Sequence, residues 1–551
     1  MNTKTENKIC TNCGEKFEIS SGDLLLYDKV GLKIPDICME CRFKQYFAFS
    51  IFGKFRKGVS DFSGESFITV FPHKPRFPVY TSHEWWSDVW DPLSYGQEYD
   101  SSRTFFEQLK ELQEKVPRPH QSGENNTNCD YCDDVWESKN CYLTRSLFRC
   151  ENVSYGYRII GVKDSLNVVY CFNIQNCYDC LFCLDSFNLN FSENSRDCID
   201  SYFLFDCRNC QNCFMSYNLR NKQYYIRNKQ HEKEDYFKEL EKIKLDSYQN
   251  ILTLKKEFTD MVKNDSVHRE HFNLKTTASK GNFLINCDKC INVFSWEDSQ
   301  NCRNQLRGQN TKDCIDQAFT WNVENSGNNG CCDGGYELKH SARSIGRYSE
   351  YLDNCIECEY CFGCVGLKKK KYCILNKQYT KEEYEILREK IIKDMGDGYG
   401  NFLPYSMSIC HYNLSTGIIY FPKTTKEEIL KNGGYWLEED LSSQDGVSSL
   451  ELPDSILDTQ PGVSSQALIC PESKYRFNIS PAEYEFHKRK NFALPRKHFD
   501  SRIMEQIIKM NTIRAHPYKC FYCHKDIDAY YPPEWGYNKI ACEECYKQNI
   551  A

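Results

Sequence analysis

From about residue 126 to residue 378 the chain repeats a short motif, in which Asn or Asp beside Cys or Ser precedes two or three aromatic or β-branched residues. NCYL at 140–143, ENVSY at 151–155, NVVYCFN at 167–173, DSFNLNF at 185–191, DCIDSYFLF at 197–205 and DCIDQAF at 313–319 are examples. Runs this short predict short strands that stack, with Asn or Cys at the corners forming ladders. Cys150 and Cys171 stand 21 residues apart, as do Cys177 and Cys198, a spacing that suits one coil of a parallel β-solenoid. The interval is irregular in a second block marked by Cys287, Cys302 and Cys314.

Helical periodicity interrupts this pattern in three places. Phe105, Leu109 and Leu112 share one face of a segment from Ser102 to Val116, which Pro117 ends. Residues 231–262 and 380–396 follow the two blocks as amphipathic helices suited to covering their open ends, and Thr380 with Glu383 forms a capping box. Residues 440–466, rich in Ser, Asp, Gln and Pro, read as a linker.

Two duplications organise the chain. Residues 9–42 align without a gap on 469–502, so that Phe17, Ile19, Pro35 and Arg42 meet Phe477, Ile479, Pro495 and Arg502. In the second copy Cys10 becomes Cys470, while Cys13, Cys38 and Cys41 become Ser473, His498 and Ser501. That copy is expected to have lost its metal and to rely on Phe477, Ile479, Tyr484, Phe486 and Leu494. Residues 206–236 align on 354–384, placing Cys207, Cys210 and Cys213 on Cys355, Cys358 and Cys361.

Chemistry enters with the cysteines at the ends. Cys10, Cys13, Cys38 and Cys41, and Cys520, Cys523, Cys542 and Cys545, are paired C-x-x-C turns at zinc-ribbon spacing. Four thiolates close a tetrahedral shell and leave no position for substrate, so the expected role is structural, with about two zinc ions. Cys520, Cys523 and His524 also spell the haem-attachment motif, which would need export and would leave Cys542 and Cys545 without a role. The runs Cys177, Cys180, Cys183 and Cys207, Cys210, Cys213 approach iron–sulfur spacing, and only the run ending at Cys364 offers a nearby fourth thiol. These central clusters read as stacked structural cysteines, with further zinc or a redox cluster as alternatives.

The 33 cysteines are an odd count, many in C-x-x-C pairs, which favours reduced, metal-binding thiols in a cytoplasm over disulfides. The start MNTKTENK leads into no apolar segment, and no run approaches a membrane span, so neither export nor membrane insertion is expected. A net charge of -7 argues against broad polyanion binding. The basic runs Lys368–Lys371 and His487–Lys490 read first as solvated surface. The Trp-rich stretch at 78–92 reads as docking core before it reads as a stacking surface. There is no Walker loop, no G-x-G-x-x-G, no G-x-S-x-G and no H-E-x-x-H, since His83 and Glu84 lack the second histidine.

The order of these features is similar to a family of zinc-ribbon, Cys-rich repeat proteins of uncultured ultra-small bacteria, some labelled CoA transferases of the CaiB/BaiF type. The features are the knuckle with F-x-I and P-x-x-C-x-x-C-R, VYTSHEWWSDVWDP, the Asn-Cys repeats, Y-x-I-x-N-K-Q, FPKTTKEEILKNGGYW and the terminal ribbon. The resemblance spans nearly the whole chain and implies terminal zinc without an established activity; these residues give the transferase label no support.

The sequence therefore predicts a multidomain, mainly β chain with helical inserts, in which terminal zinc ribbons flank a Cys/Asn-rich repeat region read as a parallel β-solenoid in two blocks. The expected domains are a zinc knuckle (1–60), an aromatic-rich connection with a helix (61–125), repeat block 1 (126–230), a helical segment (231–275), repeat block 2 (276–378), a capping helix and linker (379–465), the degenerate zinc module (466–515) and the terminal ribbon (516–551). The expected function is a soluble, zinc-stabilised, non-enzymatic scaffold for a protein or nucleic-acid partner. The alternatives are a nucleic-acid binder using ribbons and aromatic stacking, and a β-solenoid hydrolase or redox protein.

Overall fold

The computed structural model describes residues 5–439, 445–510 and 513–550. The chain divides into two compact units, each made of two separate stretches: Met1–Gln121 with His271–Leu437, and Ser122–Glu270 with Glu438–Ala551. Each unit joins a ten-stranded sheet to a pair of small hairpin-and-helix ribbons.

The sheets run from Cys132–Trp136 to Lys229–Gln230 and from Lys280–Ile285 to Lys377–Gln378, parallel except for the last pairing in each. Their register rises by 12 residues per strand through most of their length: Leu166 faces Tyr178, Phe187 faces Ile199 and Ile291 faces Arg303. Further parallel bridges keep the same step between the strands, as in Lys139 to Glu151 to Lys163 to Gln175. The structural repeat is therefore 12 residues, not the 21 suggested by the cysteine spacing.

A triplet underlies the 12. Positive φ recurs at every third residue, for example Asn140, Leu143, Ser146, Arg149 and Asn152. Asn and Asp reach this left-handed region more easily than other L-residues, which explains their abundance here. At these corners their amides also bond to the residue 12 further on: Asn128 donates to Asn140, Asn140 to Asn152 and Asn152 to Asp164, at 3.0, 3.0 and 2.8 Å. The residue after each corner is turned inward. Cys129, Cys132, Val135, Cys141, Leu147, Cys150, Val153 and Ile159 continue this series and are buried together in one core.

Side chains of modest volume fill that core, and the polar ones satisfy their neighbours. Ser165 donates to the Lys163 carbonyl at 2.6 Å and accepts from the Cys177 N–H at 3.0 Å. The Cys183 thiol lies 3.5 Å from the Leu181 carbonyl and 3.4 Å from that of Ser192. Cysteine here behaves as a small hydrophobe with a weak donor.

Each sheet ends under a helix. Tyr236, on the helix Lys233–Glu241, meets Tyr224 edge-on at 5.8 Å. Tyr384, on the helix Lys381–Met395, meets Tyr372 at 5.9 Å. The expected capping box at Thr380 and Glu383 is present. The helix expected near 102–116 spans Phe105–Lys115, with Thr104 and Glu107 closing its own capping box.

The expected linker at 440–466 lies partly outside the described residues, at 440–444. From 445 onward it is built into its unit. Val447–Ser448 pairs with Leu468–Ile469, and Ile456 and Val463 are buried with Cys470, Phe477, Tyr484 and Leu494. Its composition favours tight turns, but its spaced apolar residues still find a core. Among the described residues, no helix is long and apolar enough to cross a membrane.

Candidate metal centres

The first centre is held between a hairpin and a helix start. Strands Glu6–Ile9 and Lys16–Ile19 close the turn that carries Cys10 and Cys13. In that turn the Cys10 N–H donates to Glu15 and the Gly14 N–H to Cys10, at 2.8 and 2.9 Å. Gly14 takes φ 77°, which only a residue tolerant of the left-handed region can adopt cheaply. Cys38 is the N-cap of the helix Met39–Phe47, and Cys41 lies one turn inside it.

The second centre repeats this arrangement. Strands His516–Lys519 and Asp526–Ala529 frame Cys520 and Cys523, and Cys542 caps the helix Glu543–Asn549 that carries Cys545. His524 takes φ 61° in its turn and donates its N–H to Cys520 at 2.9 Å, so it fills the place of Gly14.

In both centres the four sulfurs lie within 4.8 Å of one another. Cys10 to Cys41 and Cys13 to Cys38 are 3.8 Å apart, and Cys523 to Cys542 is 3.9 Å. An ion with four sulfurs at about 2.3 Å in a tetrahedron separates them by about 3.8 Å, whereas a disulfide needs about 2.05 Å. Each group also receives a backbone N–H on sulfur, from Cys38 to Cys10 at 3.2 Å and from Cys542 to Cys520 at 3.3 Å. Such bonds favour thiolate, the ligating form.

One sulfur in each group is poised accordingly. The Cys41 side chain and then its backbone N–H draw the Cys38 thiol down to about 5. Burial opposes ionisation of Cys520, but the backbone N–H groups of Cys523 and Cys542 outweigh it and bring that thiol to about 6. These two groups could each hold a metal ion. Among the described residues, no third set of three or more potential ligands converges in this way. The central cysteines, including the runs at 177–183, 207–213 and 355–364, are instead buried along the cores of the two sheets.

No protein-family model matches the chain, and no curated protein matches it in sequence. Among solved structures, one described as an acetyltransferase from Desulfovibrio desulfuricans G20 is similar at 9% identity, covering 48% of this chain and 69% of that one. Its TM-score is 0.12, too low to carry an argument about fold or chemistry.

Two further ribbons keep the frame without the ligands. The third, expected from the duplication, holds Cys470 in the same turn, with its N–H on Tyr475 at 3.0 Å and the Lys474 N–H on Cys470 at 3.1 Å. The Cys470 sulfur meets only a hydroxyl, Ser501, at 3.9 Å, and His498 is committed to capping the helix Phe499–Ile508. The apolar residues expected to compensate, Phe477, Ile479, Tyr484, Phe486 and Leu494, are all buried.

The other ribbon was not anticipated. The hairpin Arg56–Val59 and Ser66–Thr69 with the helix Ser82–Trp86 places Ser60, Ser63, Thr81 and Glu84 where Cys520, Cys523, Cys542 and Cys545 stand in the terminal ribbon. The turn bonds are the same, with the Ser60 N–H on Glu65 at 2.8 Å and the Gly64 N–H on Ser60 at 2.9 Å. In place of an ion, the Glu84 carboxylate accepts from the Ser60 hydroxyl at 2.6 Å and the Thr81 N–H at 2.8 Å. Burial of Glu84 is outweighed by these donors, and its carboxyl is held below the usual range. The available sequence signal was an offset of 460 to 461 residues, hidden because all four cysteines have changed.

The Trp-rich stretch belongs to this ribbon. Trp85 is buried and donates to Pro117 at 3.0 Å, and Lys368 lies 4.7 and 4.9 Å from the rings of Trp85 and Trp90. In the basic run at 487–490, His487 is buried and Lys490 donates to the Asn176 carbonyl at 2.7 Å, so both serve packing.

Proposed function

We propose that the protein is a zinc-stabilised, non-enzymatic scaffold in which each 12-residue register step is one coil of a β-solenoid, and that it presents one face to a protein partner. The observation that carries this reading is the closed four-cysteine geometry: sulfur separations near 3.8 Å fit a tetrahedral ion whose shell has no open position. Zinc is the metal such thiolate sets favour in a reducing compartment.

A partner surface is supported by a stack on the sheet of the first unit. Tyr348 and Tyr360 lie 4.8 Å apart at 8°, and Tyr360 and Tyr372 lie 5.3 Å apart at 17°. Tyr348 is exposed, and the flanking charges alternate, as in Glu359 with Lys371 at 2.7 Å and Glu357 with Lys369 at 3.7 Å. Rigid aromatic surface with balanced charge suits a protein more than a phosphate backbone, which needs a surplus of cations.

The test is affinity capture from native lysate with the wild-type chain and with Tyr348→Ser/Tyr360→Ser. A protein retained by the first and lost by the second supports the reading. No retained protein, or one indifferent to the variant, counts against it.

A further inference from the structure

A cleft of about 550 Å³ opens in the first unit beside the Cys10 centre. That is within the size range of small-molecule sites, roughly 300–1,000 Å³. One wall is the knuckle turn, including Asn12 and Ile37; the opposite wall includes Asn401, Phe402 and Asn432.

The formal charges lining the cleft cancel. Asp316 accepts from Tyr27 and from Arg42, the latter at 2.8 Å. Lys33 lies 4.0 Å from Asp36. An anionic phosphate or carboxylate would therefore find no surplus cation, and the expected ligand is uncharged.

The remaining polar groups are carboxamides. Asn401 donates to Asp397 at 3.5 Å and Asn432 to Glu428 at 2.8 Å, which leaves their side-chain oxygens free to accept. Acceptors of this kind suit the exocyclic amino groups of a nucleobase, and Phe402 with Tyr405 supplies aromatic surface beside them.

The duplicated ribbon of the other unit shows that these positions can be closed. There Asn12, Ile37 and Gln45 are replaced by Glu472, Lys497 and Glu505, and Lys497 pairs with Glu472 at 2.5 Å and with Glu505. The same frame thus folds with an ion-pair cluster where the first unit keeps uncharged groups beside open space.

We infer that this cleft binds an uncharged nucleoside. The inference does not depend on the protein partner proposed above. It is tested by calorimetric titration of the zinc-loaded full chain with adenosine, cytidine, guanosine and uridine, with glucose as the control. At least one nucleoside should bind at one site per chain, and glucose should not. Asn12→Glu/Ile37→Lys, which copies the ion pair, should weaken binding by about tenfold or more, equivalent to about 1.4 kcal/mol, with zinc content and melting unchanged. Asn401→Ala, on the far wall and away from the metal, should weaken it in the same direction and serves if the double variant misfolds. Absence of nucleoside heat at millimolar concentration, equal binding of glucose, or folded variants that bind as well as the wild type would overturn the inference.

Discussion

Residue by residue, the four ribbons show how one frame is stabilised with an ion or without one. In two of them four sulfurs converge. Cys41→Ser or Cys545→Ser should each remove one of about two zinc ions per chain, read by elemental mass spectrometry, because three thiolates leave the shell incomplete. The Ser60, Thr81 and Glu84 cluster does the same work by hydrogen bonds. Glu84→Ala should cost about 1–3 kcal/mol of unfolding free energy, the usual penalty for stranding buried donors. Because the folded Glu84 carboxyl is held low, its stabilisation is present above the unfolded value near 4.3 and is lost as pH falls through its lowered folded value.

Buried His340 behaves differently. Burial lowers its pKa to about 4, against the opposing pull of Glu350. The unfolded chain takes up the proton first, so stability should decline as pH drops from about 6.5 to about 4. Denaturation midpoints at pH 7 and pH 5 should differ less in His340→Gln than in the wild type. His340 also accepts from or donates to Asn328 at 2.7 Å, so the glutamine variant retains a hydrogen-bonding group there.

The sheets belong to a larger scale, where the triplet rule decides what is tolerated. Inward serines already make the carbonyl contact that inward cysteines make, as Ser165 does. Cys180→Ser should therefore leave zinc content unchanged and cost no more than about 1–2 kcal/mol, whereas Leu189→Ala, a fully buried truncation, should cost about 2–5 kcal/mol. Chemical denaturation distinguishes the two. The short strands, the Asn corners and the helices after each block were legible because each has a local cause. The 12-residue register was not: cysteine is only one of several residues that fit the interior, so spacing measured from cysteines alone sampled the triplet unevenly. Val153, Ser165 and Ile174 fill the same series of positions as Cys141 and Cys177.

For the whole molecule, the same composition predicts how the chain responds to reagents. The central thiols are buried, whereas Cys13 and Cys523 are exposed. With metal bound, most thiols should resist a thiol-reactive dye until the chain unfolds. Chelation should release the ions of the two terminal centres while parallel-sheet circular dichroism persists, because the sheets contain no converging metal site among the described residues. Loss of the sheet signal together with the ions would show that the ribbons hold more than their own modules.

The sequence by itself determined the two four-cysteine sets, the loss of ligands around Cys470 and the helix boundaries at Thr104 and Thr380, since each depends on residues close in the chain or on a duplicate that kept its pattern. Tertiary structure decided the rest. Ser60 and Glu84 gain meaning only when the fold lays them on a ribbon whose cysteines are gone. Ile456 and Val463 look like linker residues until a core receives them. The cleft beside Asn12 exists because segments hundreds of residues apart, at 12, 316 and 401, meet in one unit, and a linear pattern carries no record of which distant residues will share a space.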